Sequence, residues 1–105
     1  MPHVIRLRGA WETAVSGEIV RHTRNFGSPG SLRAGERVWL ICRLIPGPTE
    51  VFVNGQSLGS IQAEGDFSAD VTDRLLPRNR LLLEVQSPGP IGEVALEIRE
   101  SSCAN

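Results

Sequence analysis

Few residues in this chain have the type and spacing that chemistry demands. There are two histidines, His3 at the terminus and His22 between Arg21 and Arg24. A lone imidazole with no nucleophile or carboxylate beside it reads as a surface or satisfied strand residue rather than a base or ligand. No HExxH, GxSxG or paired-cysteine spacing occurs. Glu64, Asp66, Asp70 and Asp73 form the densest acidic cluster. Such oxygens can hold calcium, yet turn chemistry alone accounts for aspartate at these positions. A glycosidase pair of carboxylates would need a defined cleft between them. The expectation is a protein that is not an enzyme, with no catalytic residue, no cofactor and no metal site.

Binding leaves a clearer trace. A pyranose offers an apolar C–H face and a ring of hydroxyls, so its recognition calls for an exposed aromatic platform beside planar polar groups. Trp39 and Phe52 are the platform candidates, because both alternate out of the presumed core, and Arg43 and Glu50 stand beside them to hydrogen-bond. The competing reading packs Trp39, Ile41 and Phe52 against a neighbouring segment or a second subunit. That reading ranks first: a stand-alone module acting through protein contact or self-association. A carbohydrate-binding module is the alternative. Trp11, in the loop after the first strand, is expected to plug one end of the fold. Asn54 and Gly55 read as turn residues, and Asn79 as the maker of a local backbone hydrogen bond.

The elements that must position these residues are short β-prone runs separated by Gly, Pro, Ser and Asn. Candidates are 3–8, 18–26, 36–45, 49–54, 57–61, 66–71, 79–86 and 93–99, with turns at 27–30, 46–48 and 88–90. Asn54-Gly55 supplies the positive φ values of a tight hairpin. Thr72 to Pro77 is a single helical turn at best, with Thr72 able to cap it and Pro77 closing it. About eight strands at this spacing predict an all-β antiparallel sandwich or barrel. Alternation assigns Val38, Leu40, Cys42 and Leu44 to one face and Trp39, Ile41, Arg43 and Ile45 to the other. Leu81, Leu83 and Val85, and likewise Val94, Leu96 and Ile98, should point inward.

The whole chain bounds the rest. Its 105 residues make one domain over 1–100 with a loose tail at 101–105. Apolar content of 40% and charged content of 22% are ordinary for a globular protein. A net charge of −1, with the 11 basic residues all arginine and scattered, gives no general attraction to nucleic acid or to an anionic membrane. No apolar run spans a bilayer, and Met1-Pro2-His3-Val4 does not open a secretory signal. A cytoplasmic protein with Cys42 and Cys103 both reduced is expected, a bridge between them being the other option.

One order of features is more specific. Arg24-Asn25-Phe26, Ser28-Pro29, Arg37-Val38-Trp39-Leu40, Val51-Phe52-Val53-Asn54-Gly55, Leu58-Gly59, Asp70-Val71-Thr72 and Asn79-Arg80-Leu81 follow one another, and Pro90 to Ile98 closes the series. This order resembles the sugar-binding, jelly-roll domain at the N-terminus of glycoside hydrolase family 2 enzymes, and more broadly the galactose-binding-domain-like fold. The resemblance covers about residues 18 to 99. It implies the jelly-roll sandwich and, through it, sugar binding, or the alternative role of an accessory subunit of a separately encoded glycoside hydrolase. Glycosidase activity does not come with it, since in the enzymes the two carboxylates belong to a separate catalytic barrel. Some family members also reach the sugar with polar residues on a long loop before the closing strand. The matching loop here, Gln86 to Gly92, is short and has no carboxylate.

Overall fold

The computed structural model describes residues 3–30 and 32–100; the tail with Cys103 lies outside them. Its hairpins follow from turn chemistry. Asn54 and Gly55 sit at φ 52° and 81°, the pair of positive values that a two-residue hairpin turn needs. They join β5 (Thr49–Val53) to β6 (Gln56–Ile61). Gly17, at φ 63°, opens a second two-residue turn between β2 (Glu12–Ser16) and β3 (Ile19–Gly27). The other strands are β1 (His3–Arg6), β4 (Glu36–Ile45), β7 (Gly65–Asp70), β8 (Arg78–Val85) and β9 (Glu93–Glu100). One 3-10 turn, Thr72–Arg74, interrupts them.

The strands form two antiparallel sheets, ordered β1-β9-β4-β7 and β2-β3-β8-β5-β6. The all-β sandwich expected from the sequence is therefore present, with nine strands among the described residues instead of eight. The extra one is β2, in a stretch expected to be loop. All five of its residues are exposed, so it has no buried face and leaves no alternation to read.

Strand parity places the core where the sequence puts it. Val38, Leu40 and Cys42 of β4, Val51 and Val53 of β5, Leu81, Leu83 and Val85 of β8, and Val94 and Leu96 of β9 are buried between the sheets. Each fully buried aliphatic side chain contributes about 1.5–3 kcal/mol of transfer free energy. Burial pushes the Cys42 thiol up to about 12, so it is an inert apolar filler rather than a nucleophile.

The expected parity fails at one point. Leu44 is 76% exposed while Ile45 is fully buried, the reverse of the assignment above. The cause is a bulge: the β4–β7 register shifts between Cys42 and Ile45, and Leu44 adopts φ 57°. One extra residue flips every side chain after it. The Leu44 amide, turned out of the ladder, donates to the Asp66 carboxylate at 2.9 Å.

The 72–74 turn also differs from expectation. Its N-cap position is Val71, and no side chain caps it. The Thr72 hydroxyl instead accepts from the Val38 amide at 2.7 Å and donates to Asp70 Oδ1 at 2.7 Å. Arg37 donates to Asp70 and Asp73 at 2.9 and 3.1 Å. Burial alone would raise the Asp70 carboxyl, but hydrogen bonds from Arg37 and Thr72 overcome it and hold the group below its usual range. The acidic cluster thus divides into a bulge cap, Asp66, and a clamp on β4, Asp70 with Asp73.

Candidate functional site

The four side chains expected to share a contact surface do not lie together. Trp39 and Arg43 belong to the outward face of the four-stranded sheet, where β4 pairs them with Glu97 and Glu93 of β9. Phe52 and Glu50 belong to the outward face of the five-stranded sheet, opposite Leu82 and Glu84 of β8. The thickness of the sandwich separates the two pairs, so no single partner surface or sugar ring meets all four. Trp39 is half-buried, with the Arg99 guanidinium 4.8 Å from its ring centroid. Ile41 beside it is buried although it faces outward. The chain covers much of this apolar patch with its own side chains. Glu50 accepts from the Ser57 hydroxyl at 3.0 Å.

A different site emerges at one end of the sandwich. The inner faces of β2 and β3 continue under the segment that joins β8 to β9, and a cleft of about 950 Å³ lies between them. Trp11, Val15, Val20, Pro88, Pro90 and Ile91 give it apolar walls; Thr13, Gln86 and Ser87 add hydroxyl and amide groups. Val15 is 72% exposed, like the rest of the edge strand β2.

His22 lines this cleft too. It stands on the inner face of β3 opposite Leu83 and keeps only 8% of its surface. That differs from a surface or fully satisfied residue. Nδ1 shares a hydrogen bond with the Thr13 hydroxyl at 3.3 Å. Nε2 is buried and has no partner among the described residues. Desolvation lowers the pKa of the ring, so the imidazole is neutral at pH 7.

Local hydrogen bonds fix the walls. Trp11 Nε1 donates to the Leu7 carbonyl at 2.9 Å, and the ring packs half-buried against the core. The loop before it carries Gly9 and Ala10 at φ 61° and 55°. Arg24, on the inner face of β3, holds that loop through the Gly9 and Arg8 carbonyls at 3.0 and 3.1 Å. Opposite, the Gln86 amide donates to the Pro48 carbonyl at 2.8 Å, tying the start of the 86–91 segment to the 46–48 turn. The sequence shows Trp11 and His22 individually. Their meeting depends on β2, which has no signature of its own.

The motif residues do structural work at the other end. Asn79 is 3% exposed and uses its whole amide. Its Oδ1 accepts from the Leu76 amide at 2.8 Å and from Asn54 Nδ2 at 3.0 Å. Its Nδ2 donates to the Leu76 and Phe26 carbonyls at 2.8 and 3.4 Å. Asn54 Oδ1 accepts from the Arg80 amide at 2.9 Å. The Val-Asn-Gly and Asn-Arg-Leu segments are thus clamped to each other and to the end of β3.

Comparison of the whole fold with solved structures gives close matches. β-Glucuronidase from Bifidobacterium dentium, in complex with coumarin-3-O-glucuronide, superposes with a TM-score of 0.72 at 24% identity, over 80% of this chain and 20% of that one. An FMN-binding β-glucuronidase from Facaelibacterium prausnitzii L2-6 gives 0.79 at 19% identity, over 95% and 23%. The chain has the β-sandwich fold of a domain in these enzymes, the fold that the resemblance to glycoside hydrolase family 2 implies. A β-glycosidase from Bacteroides vulgatus shares this fold, with a TM-score of 0.62 at 21% identity over 78% and 12%. The chain spans less than a quarter of the length of each of these three proteins. No protein-family model and no curated protein sequence matches it.

Among the described residues, no group of three or more His, Cys, Asp or Glu stands close enough to hold a metal ion. No helix among them is long and apolar enough to cross a membrane.

Proposed function

We propose that the chain is a non-catalytic, saccharide-binding module that serves a glycosidase as an accessory part, and that its ligand enters the cleft beneath the 86–91 segment. The observation that carries this reading is the two-sided chemistry of the cleft. Trp11, Val15, Val20 and Ile91 present apolar surface, while Thr13, Gln86 and Ser87 present hydrogen-bonding groups. A pyranose has the same division between its C–H face and its hydroxyl rim. The sugar-binding-domain fold supports the reading from a second direction.

Binding without turnover follows from the carboxylate count. Glycoside hydrolysis uses two carboxyl groups across the scissile bond, and Glu18 is the only carboxylate lining the cleft among the described residues. The test is a tryptophan-fluorescence titration of the Trp39→Phe variant, in which Trp11 is the sole reporter, against a panel of methyl glycosides. A saturable change, with no release of chromophore from the matching nitrophenyl glycosides, is expected. A flat titration across the panel would remove saccharide binding, and steady chromophore release would remove the non-catalytic assignment.

A further inference from the structure

Building on the saccharide-binding reading, we infer that the cleft selects neutral sugars and rejects uronates, with Glu18 setting the sign of its field. Two of the three structural neighbours above are β-glucuronidases, so analogy of fold alone would point to a uronic acid. The side chains at this cleft point the other way.

Recognition of a sugar carboxylate needs a cation, and arginine is the group best shaped for it. No arginine lines the cleft among the described residues, and Glu18, in the turn between β2 and β3, is the one formal charge there. The two arginines of β3 are occupied elsewhere. Arg21 pairs with Glu84 at 2.8 Å on the outward face of the sheet. Arg24 is spent on the Arg8 and Gly9 carbonyls. Arg8 lines a neighbouring groove, which shares Trp11 and Ile91 with the cleft, and does not line the cleft itself.

His22 supplies the second, independent observation. Its ring is more than nine-tenths buried, and Nε2 lacks a partner among the described residues. The Thr13 hydroxyl can donate to Nδ1 or accept from it, so Nε2 is either a donor or a bare lone pair. A sugar carboxylate could gain a cation here only by charging this buried imidazole, which desolvation opposes. Repulsion from Glu18, an exposed and therefore solvent-screened charge, adds to this.

The experiment compares methyl β-D-glucopyranoside with methyl β-D-glucopyranosiduronate, which differ only by CH2OH against carboxylate, by calorimetric titration of the full chain at pH 7 and low salt. At least tenfold tighter binding of the glucoside is expected. Glu18→Arg should shrink or invert that ratio. Val15→Arg, which places a cation on the exposed rim of the same cleft, should move the ratio the same way if the turn does not tolerate the first variant. Equal or tighter binding of the uronate by the native chain would overturn the selectivity while leaving saccharide binding intact, as would a ratio unmoved in both folded arginine variants. If neither compound binds, nor the galactoside, mannoside and xyloside, the saccharide reading falls and the selectivity with it.

Discussion

Asn54 and Asn79 show how a sequence signature of a binding domain can owe its residues to folding. Both stand in the segments that carry the resemblance, and both spend their amides on backbone and on each other at the end of the sandwich away from the cleft. Replacing Asn79 by alanine strands the buried Phe26 carbonyl and the part-buried Leu76 amide and carbonyl, and an unsatisfied buried polar group costs about 1–3 kcal/mol. Asn79→Ala should lower unfolding stability by about 2–3 kcal/mol in urea denaturation and leave ligand affinity of the folded fraction unchanged. A loss below about 0.5 kcal/mol would show that the clamp is dispensable. His22 is the opposite case. The sequence offers a lone histidine with no visible partner, and only the pairing of β3 with β2 brings Thr13 to its Nδ1.

At the scale of elements, the bulge in β4 decides more than its length suggests. Leu44 leaves the period of two, and the chain must cross a neighbouring segment closely as it does so. Gly92, just before β9, lies so near that a methyl group built on it would collide with the Arg43 carbonyl oxygen and with the Leu44 side chain. Glycine is required here for close approach, since its φ is not in the left-handed region. Gly92→Ala should therefore lower the melting temperature by several degrees, about 2 kcal/mol or more, and loosen the 86–91 segment that forms one wall of the cleft. Unchanged stability and unchanged amide exchange at Gln86 to Ile91 would contradict that account. The bulge was not legible in the sequence, because Arg43-Leu44-Ile45 continues an apolar strand without glycine or proline to mark the break. The β2 edge strand was illegible for a related reason: an element with neither face buried has no pattern to show.

At the scale of the molecule, β2 is an edge strand of the five-stranded sheet, an overhang with no buried residue, and the cleft lies against it. Where the sheets overlap, side chains carry stability; where β2 overhangs, they do not. Leu83→Ala, under the centre of the sandwich with no exposed surface, should cost about 3–5 kcal/mol through lost transfer energy and the cavity left behind. Val15→Ala, on the same inner face but in the overhang, should cost under about 0.5 kcal/mol. Comparable losses at both sites, measured by denaturant unfolding, would mean that the overhang is part of the core. The sequence by itself determined the β class, the hairpin at Asn54-Gly55 and most of the core, because burial between two sheets writes a period of two into Val38-Leu40-Cys42 and Leu81-Leu83-Val85. Only the tertiary structure decided which outward residues share a surface. Alternation records whether a side chain points in or out, and says nothing of which sheet it points from. Trp39 and Phe52 therefore looked like neighbours and lie on opposite sides, while Trp11, Thr13 and His22 converge through sheet pairing between strands that no local pattern connects.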